Sequence, residues 1–354
     1  MYIYPKLDEK LHPDSLKFLS KIYYNKKNFK PDKKDIKISK EIIETYNLLK
    51  KKYTSKSEWT WINSKKRSTF IKSLISRDLV KTAAILANCF KNDSSFGITS
   101  WHWSKLKNST NKKKFISSIL KDYLTWSEFA QIKETDSQHL NTGGKFGNFY
   151  GLLINKKKLM IDTPRHDYYA KRIIEILGNI KKKNRALVEI GGGYGGLCFQ
   201  LLKKKFKDTY INIDILETLL INYYFLRKYT NKKIVICDLK KIKKFHSKNI
   251  YLGTSNYFKN LNKNIDLAFN SNSFSEMSKK DVLYYFKQIN IYKAKYIYHQ
   301  NSNFIFFPNS PRHIENIASK FPINKKKYEC ISNNISLWNS GKGRYREYLY
   351  KRVK

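Results

Sequence analysis

Cysteine is scarce in this chain of 354 residues, and its few copies lie far apart. They are Cys89, Cys198, Cys237 and Cys330. No C-x-x-C pair occurs, so the sequence has neither the spacing of a zinc site nor the density of a disulfide-stapled fold. We therefore expect a protein of a reducing compartment. Glycine and proline are also few, at 14 and 7 residues, which excludes fibrous and linker-like classes.

Long hydrophobic runs are absent as well. No stretch approaches the roughly 18 consecutive apolar residues that a membrane span requires. The first residues, MYIYPKLDEK, lack the basic-then-apolar order of a signal peptide. Apolar residues still make up 41% of the chain and aromatic residues 15%, enough for a large core. These features predict a globular cytoplasmic protein without a transmembrane segment, either a monomer or a homo-oligomer.

Acidic residues are few relative to basic ones. The chain has 71 Lys and Arg against 28 Asp and Glu, a net charge of +43. The lysines are spread in short triplets, such as 50–52, 156–158 and 325–327, which favours a solvated surface over one nucleic-acid-binding arm. Codon bias explains the abundant lysine but not the shortage of acids. An anionic partner therefore stays open: a charged glycan, a nucleic acid, or the inner membrane surface.

The first part of the chain, residues 1–137, is predicted to be mostly helical. Apolar residues recur there at spacings of three and four, most clearly over 70–87. Tryptophans 59, 61, 101, 103 and 126 cluster in this part. Their indoles either pack short helices together or form a platform for sugar rings.

Two further parts follow. Residues 138–183 hold a turn-rich loop at 141–148, a short hairpin and a linker helix. Residues 184–354 alternate strands and helices, which predicts a parallel sheet with helices on both faces. Two late strands, near 328–337 and 344–351, are expected to form an antiparallel hairpin.

The most informative segment is VEIGGGYGGL, residues 188–197. A buried-type strand runs into a glycine-rich turn and then directly into a helix. Glycines let the backbone turn tightly and approach a ligand closely, and the helix N-terminus behind them offers free N–H groups. The segment therefore predicts a cofactor site.

Two cofactors use such a turn. Gly191, Gly193 and Gly196 satisfy the dinucleotide pattern G-x-G-x-x-G. Glu189 and the alternate glycines after it satisfy E-x-G-x-G-x-G, which is typical of S-adenosylmethionine sites. Asp214, at the end of the second strand, would bind ribose hydroxyls in either case.

Three features favour the methyl donor over the dinucleotide. The carboxylate of Glu189 is placed to bind the ammonium of a methionine moiety, where a dinucleotide domain usually has a hydrophobic residue. The chain ends in a predicted β-hairpin, which suits a methyltransferase sheet. More than half of the chain also precedes the glycine turn, which leaves limited room for a separate catalytic domain. An NAD-dependent sugar oxidoreductase remains the alternative.

The runs EIGGGYGGL, YINIDILETLLINYYFL and IDLAFNSNSFSEM together resemble the bacterial sugar O-methyltransferase family. The resemblance is closest over residues 145–300. It implies a class I, Rossmann-like sheet of seven strands with helices on both faces. It also implies methyl transfer from S-adenosylmethionine to a sugar hydroxyl of a surface polysaccharide or its precursor, with S-adenosylhomocysteine as product. The acceptor would be a carbohydrate, anionic or lipid-linked.

The resemblance also places cofactor-binding residues. With their neighbours, the matched positions are Glu189, Gly191, Gly192, Gly193, Tyr194, Gly195, Asp214, Ile215, Gly253, Thr254, Asn270 and Ser271. The third strand has two candidates. The resemblance puts it at 249–252, beside Gly253 and Thr254, whereas a simple count from Asp214 chooses 234–237 and gives the adenine-binding role to Asp238. We favour the first.

A sugar hydroxyl must lose its proton during methyl transfer, so a general base or a metal is expected. His299, at the end of the fifth strand, is the preferred base; Glu276 and His166 are the other candidates. No sequence pattern indicates a divalent metal.

Two other functions stay open. Methylation of RNA is one, although residues 270–273 read Asn-Ser-Asn-Ser in place of the D/N-P-P-Y/F motif of base methylation. A non-catalytic basic glycan-binding protein with a relict cofactor fold is the other.

Overall fold

The structure is a computed structural model. It describes residues 22–52, 58–129, 140, 147–154, 157–239, 242, 244–304, 316–338 and 344–353. Most of the turn-rich loop predicted at 141–148 lies outside these residues. Within them, no helix is both long enough and apolar enough to cross a membrane.

The N-terminal part is helical, as predicted. Its helices are α1 (Lys33–Leu49), α2 (Glu58–Trp61), α3 (Ser68–Ile75), α4 (Leu79–Ala87) and α5 (Ser109–Phe129). The start of α1 is fixed by a capping box, in which Asp32 accepts the Asp35 N–H and Asp35 accepts the Asp32 N–H. The apolar stripe of α1, which includes Ile38 and Ile42, is fully buried. It packs against α4 and against a helix of the C-terminal part.

A small sheet links the N-terminal and middle parts. The predicted hairpin is present as β2 (Gly151–Ile154) and β3 (Lys157–Met160). A two-residue strand, β1 (Ile22–Tyr23), adds to it by antiparallel pairing with β2. So short a strand has no periodicity to reveal it in the sequence. The linker helix α6 (Thr163–Gly178) follows, with Pro164 in its first turn, where a missing N–H costs nothing.

The C-terminal part is built on one mixed sheet of eight strands. The strands are β4 (Ala186–Ile190), β5 (Thr209–Ile213), β6 (Ile234–Ile236), β7 (Ile250–Gly253), β8 (Leu267–Ser271), β9 (Tyr296–Ser302), β10 (Tyr328–Ile335) and β11 (Tyr345–Arg352). Its helices are α7 (Gly196–Lys203), α8 (Leu216–Tyr229), α9 (Ser255–Phe258) and α10 (Lys279–Ile291). The order is β10-β11-β9-β8-β4-β5-β7-β6. β11 runs antiparallel to both of its neighbours, β9 and β10, whereas all the other strand pairs in this sheet are parallel. The late hairpin is therefore confirmed.

The expected count of seven strands is wrong by one. Both candidates for the third strand form: β7 pairs with β5, as favoured, and β6 pairs with the outer side of β7. This edge strand has only three residues, all apolar. Val235 is buried in the core, and its two neighbours are half-exposed. Without β6, the order and the single antiparallel strand are those of an α/β class I methyltransferase-like fold.

The sheet separates two apolar layers, as expected where helices cover both faces. Leu187, Tyr210 and Phe269 belong to the larger layer, which continues into the N-terminal helices. Their strand neighbours, such as Val188 and Ile211, belong to the second layer. This alternation follows the two-residue period of a strand.

A buried carboxylate on β11 joins the sheet to α6. Glu347 accepts hydrogen bonds from the hydroxyls of Tyr298 at 2.9 Å and Tyr169 at 3.0 Å, with Ser336 at 3.4 Å. Burial raises its pKa, while these hydrogen bonds lower it. No sequence pattern predicts this cluster, because its members come from four separate segments.

Removing this carboxylate should destabilise the fold. We expect Glu347→Leu to lower the free energy of unfolding by about 3 kcal/mol, since it leaves buried hydroxyls without their acceptor. Urea denaturation measures the change. Glu329→Leu, at an exposed position of the neighbouring β10, is the matched control and should change it by less than about 0.5 kcal/mol. Equal effects of both variants would refute a structural role for the cluster.

Candidate functional site

The glycine turn between β4 and α7 adopts backbone conformations that favour glycine. Gly191, Gly193 and Gly195 all have positive φ, at 76°, 55° and 92°. The Gly191 N–H donates to the Ile213 carbonyl oxygen at 2.8 Å, and the Gly195 N–H donates to the Gly192 carbonyl oxygen at 3.0 Å. The turn is therefore tight and is held against the end of β5.

Close packing gives a second reason for these glycines. A Cβ on Gly191 would lie 2.1 Å from the Ser273 Oγ, and one on Gly192 would lie 2.7 Å from the Asn212 Oδ1. A Cβ on Gly193 would have more room, since its nearest neighbour would be the Ile98 carbonyl oxygen, at 3.7 Å. The segment with Ile98 comes from the N-terminal part, so that part reaches the glycine turn.

Asp214 and the glycine turn are joined directly. The Asp214 carboxylate accepts the Gly193 N–H at 3.0 Å and the Ile215 N–H at 2.7 Å. Burial raises the pKa of Asp214 to about 7, although both hydrogen bonds act to lower it. The acid predicted to bind ribose thus lies beside the third residue of the turn, at the carboxyl edge of the sheet.

Glu189 offers an acceptor below the turn. One of its carboxylate oxygens accepts the Tyr210 hydroxyl, and the other has no donor among the described residues. Burial raises the pKa of Glu189 to about 7, and the nearby Asp214 adds to the shift. A buried carboxylate with an open oxygen fits the ammonium of a methionine moiety, so this residue suits S-adenosylmethionine.

The two candidates for adenine binding lie together. The Thr254 N–H donates to the Asp238 Oδ2 at 2.8 Å, and the Thr254 hydroxyl donates to the Asp238 Oδ1 at 2.6 Å. Gly253 accepts the Asp214 N–H at 3.1 Å. The alternatives meet because β6 and β7 are parallel and end at the same edge.

Asn270 supports the turn from beneath. Its Nδ2 donates to the Ile190 carbonyl oxygen at 2.8 Å, and its Oδ1 accepts the Asn301 Nδ2 at 2.8 Å. Its amide is thus used to tie three strands together. Ser271 donates its hydroxyl to Gln300 at 2.9 Å. Both residues lie at the carboxyl edge of the sheet, as predicted, but their side chains are hydrogen-bonded to other groups of the protein.

His299 does not fit the role of base that the sequence suggested. It is 0% exposed, and neither ring nitrogen has a hydrogen-bond partner among the described residues. Its ring packs on Tyr348, Tyr350 and Phe321, and burial lowers its pKa to about 3. β9 continues to Ser302, so His299 lies in the middle of the strand and not at its end as predicted. Its side chain lies in the second apolar layer, away from solvent.

His166 lies beside the glycine turn, against Gly196 and Tyr194. The His166 Nδ1 is 3.4 Å from the Tyr194 hydroxyl, and burial lowers the pKa of His166 to about 3, so the ring is neutral. The half-buried Glu276 lies in the turn after β8. Burial raises the pKa of Tyr345 to about 12, and the charge of Glu276 adds to this shift.

Sequence reasoning missed an acidic pair around a buried cation. Arg165 donates to the Asp162 Oδ1 at 3.0 Å, and the Ser100 N–H donates to the Asp162 Oδ2 at 3.0 Å. Asp122 on α5 lies close enough for Arg165 to lower its pKa, but burial outweighs this and raises it to about 7. Arg165 also interacts electrostatically with Tyr194, so the group borders the glycine turn. No motif links these positions in the sequence.

The described residues contain no group of three or more His, Cys, Asp or Glu side chains arranged to hold a metal ion.

Comparisons with known proteins find distant similarity only. No protein-family model matches the sequence, and no curated protein matches it. Among solved structures, the pyocyanin biosynthetic protein PhzM is 11% identical, with a TM-score of 0.37 over 54% of this chain and 56% of its own. The mitomycin 7-O-methyltransferase MmcR is 12% identical, with a TM-score of 0.37 over 54% and 55%. An S-adenosylmethionine-dependent methyltransferase from Clostridium acetobutylicum is 12% identical, with a TM-score of 0.37 over 52% and 91%.

This chain thus spans just over half the length of the first two of these proteins.

Cofactor binding should release a proton near neutral pH. Glu189 and Asp214 both have a pKa raised to about 7, so each is partly protonated at that pH. A ligand ammonium or hydroxyl favours the ionised carboxylate, and binding therefore lowers both pKa values. The affinity for S-adenosylhomocysteine should fall as the pH is lowered from 8 to 6.

Titration calorimetry in buffers of different ionisation enthalpy measures this proton. We expect the heat to depend on the buffer, and the dependence to shrink in Glu189→Gln. A heat that is the same in every buffer at pH 6.5 would contradict this arrangement.

Proposed function

We propose that the chain is an S-adenosylmethionine-dependent O-methyltransferase. One observation carries the proposal: the glycine turn lies between two buried acids, the partly open Glu189 and the Asp214 carboxylate that accepts the Gly193 N–H. The first suits the ammonium of the cofactor and the second suits its ribose. When bound there, S-adenosylmethionine would supply an electrophilic methyl group.

The turn suits a dinucleotide less well. A pyrophosphate would need the N-terminus of α7, and His166 packs against the first residue of that helix. A Cβ on Gly196 would lie 2.3 Å from the His166 Nδ1. The acids Glu189 and Asp214 would also repel a phosphate, whereas they attract an ammonium.

The acceptor is proposed to bind next to Tyr194, near Arg165 and Tyr345. The chain then has to position a hydroxyl in line with the methyl group and take its proton. Glu276 and Asp122 are the candidate bases in place of His299. Asp122 has a pKa of about 7, which suits a carboxylate that acts as a general base at neutral pH. Arg165 and Asp162 would then contact the acceptor.

A carbohydrate is the acceptor we favour. The family resemblance supports it, and so does the half-buried indole of Trp101, next to the Ser100 that binds Asp162. Trp101 packs edge-on against Phe115 at 5.7 Å between ring centroids, so one part of the indole is structural. The apolar face of a sugar ring could stack on the remainder.

Cofactor identity is tested by binding. S-adenosylhomocysteine should bind and raise the melting temperature, and NAD should not. Asp214→Ala should weaken S-adenosylhomocysteine binding at least tenfold, because it removes a charged acceptor for the ribose. Asp281→Ala, at the start of α10, is the control and should bind as the unaltered chain does. Stabilisation by NAD alone would overturn the proposal.

Acceptor class is tested by transfer. With labelled S-adenosylmethionine, we expect label to enter a glycan extract of the source cells and to resist nuclease. Asp122→Asn and Glu276→Gln should slow the transfer without weakening S-adenosylhomocysteine binding if either residue is the base. Label that enters RNA instead would establish the nucleic-acid alternative, and bound cofactor without transfer to any extract would favour the non-catalytic one.

A further inference from the structure

Among the buried side-chain atoms without a hydrogen-bond partner are two oxygens on the Asp214 side of the candidate cofactor site. They are the Asn63 Oδ1 and the Glu217 Oε2, and neither has a partner among the described residues. A buried acceptor without a donor costs about 1–3 kcal/mol. Native proteins keep few such atoms, and each calls for an explanation.

The two oxygens are neighbours at the ribose end of the site. Glu217 lies in the first turn of α8, three positions after Asp214. The Asn63 side chain hydrogen-bonds the Glu217 carboxylate. Asn63 therefore brings its own unpaired oxygen, from the N-terminal part, next to that of Glu217.

A buried arginine balances the charge of this group. Arg67 is 0% exposed, and its Nη1 donates to the Thr218 Oγ1 at 2.9 Å. The carboxylates of Glu217 and Asp214 both raise its pKa, although burial lowers it more. A cation is already present, so a metal ion is a poor occupant for the open oxygens, whereas neutral hydroxyl donors suit them.

The same arginine places the N-terminal part against the glycine turn. Its Nε and Nη2 donate to the Phe96 carbonyl oxygen at 3.1 and 2.9 Å. Two residues later, the Ile98 carbonyl oxygen would lie 3.7 Å from a Cβ on Gly193. The N-terminal part thus meets the site at two points, Asn63 and Ile98.

We propose that one ribose hydroxyl of the cofactor donates to the adjacent open oxygens of Glu217 and Asn63, while the other donates to Asp214. The N-terminal helices then form part of the cofactor site. This inference rests on the proposed function, since it takes the bound nucleoside to be that of S-adenosylmethionine. The two neighbouring oxygens share the donor that they lack, and the ammonium is accommodated separately at Glu189.

Calorimetry with S-adenosylhomocysteine tests the assignment. Glu217→Gln and Asn63→Ala should each raise the Kd about tenfold, as expected for losing an acceptor. Glu41→Gln is the matched control. Glu41 also joins the N-terminal part to α8, through the Tyr223 hydroxyl at 2.6 Å and Arg227 at 3.2 Å. The Kd of the Glu41→Gln variant should stay within twofold of that of the unaltered chain.

A 2′-deoxy analogue of S-adenosylhomocysteine identifies the group recognised. The unaltered chain should bind the analogue about tenfold more weakly than the parent, and Glu217→Gln should lose most of this discrimination. The melting temperature of each variant without ligand distinguishes a structural role from a role in binding. A residue that only stabilises the fold would lower it and leave the discrimination intact, which would overturn the inference.

Failure of the inference and failure of the proposed function give different results. If the unaltered chain binds S-adenosylhomocysteine but both variants match the Glu41→Gln control, the ribose assignment is wrong and the proposed function stands. If the unaltered chain binds no S-adenosylhomocysteine, both are wrong. The second variant, Asn63→Ala, keeps the test valid should Glu217→Gln fail to fold.

Discussion

The hydrogen bond from the Gly193 N–H to the Asp214 carboxylate is the contact around which the candidate site is arranged. It joins the turn after one strand to the end of the next. Both groups lie at one edge because β4 and β5 are parallel, and parallel strands bring their carboxyl ends together. The positive φ values of the turn aim its N–H groups at that edge, which is possible at no steric cost only with glycine.

A polar layer beneath the turn maintains this geometry. Asn270 and Asn301 tie the ends of β4, β8 and β9 together, in place of the apolar contacts found deeper in the sheet. Such a fully bonded network is rigid. The two acids above it are different: Glu189 keeps an open oxygen, and both acids have a pKa raised to about 7. Raised pKa values of this kind concentrate at binding and catalytic sites.

Sequence reasoning predicted what is local and periodic. The parallel sheet, the terminal hairpin and the glycine turn with Asp214 follow from patterns over a few residues, and all are confirmed. The two-residue β1 was missed because short strands carry little pattern. Residues 234–237 and 249–252 were weighed as alternatives for one strand, although both form strands. His299 was misplaced because position along a strand does not say which face a side chain occupies when both faces are buried. Asn63, Arg67, Asp122 and Glu347 act through contacts between distant segments, which one sequence does not reveal.

The glycine turn, Glu189 and Asp214 are proposed to bind the methyl donor together. A crystal structure of the chain with S-adenosylhomocysteine tests this most directly. We expect the ammonium of the ligand at Glu189, its ribose beside Asp214, and its adenine near Thr254 and Asp238. A ligand bound elsewhere, or in the reverse orientation along the strand ends, would contradict it.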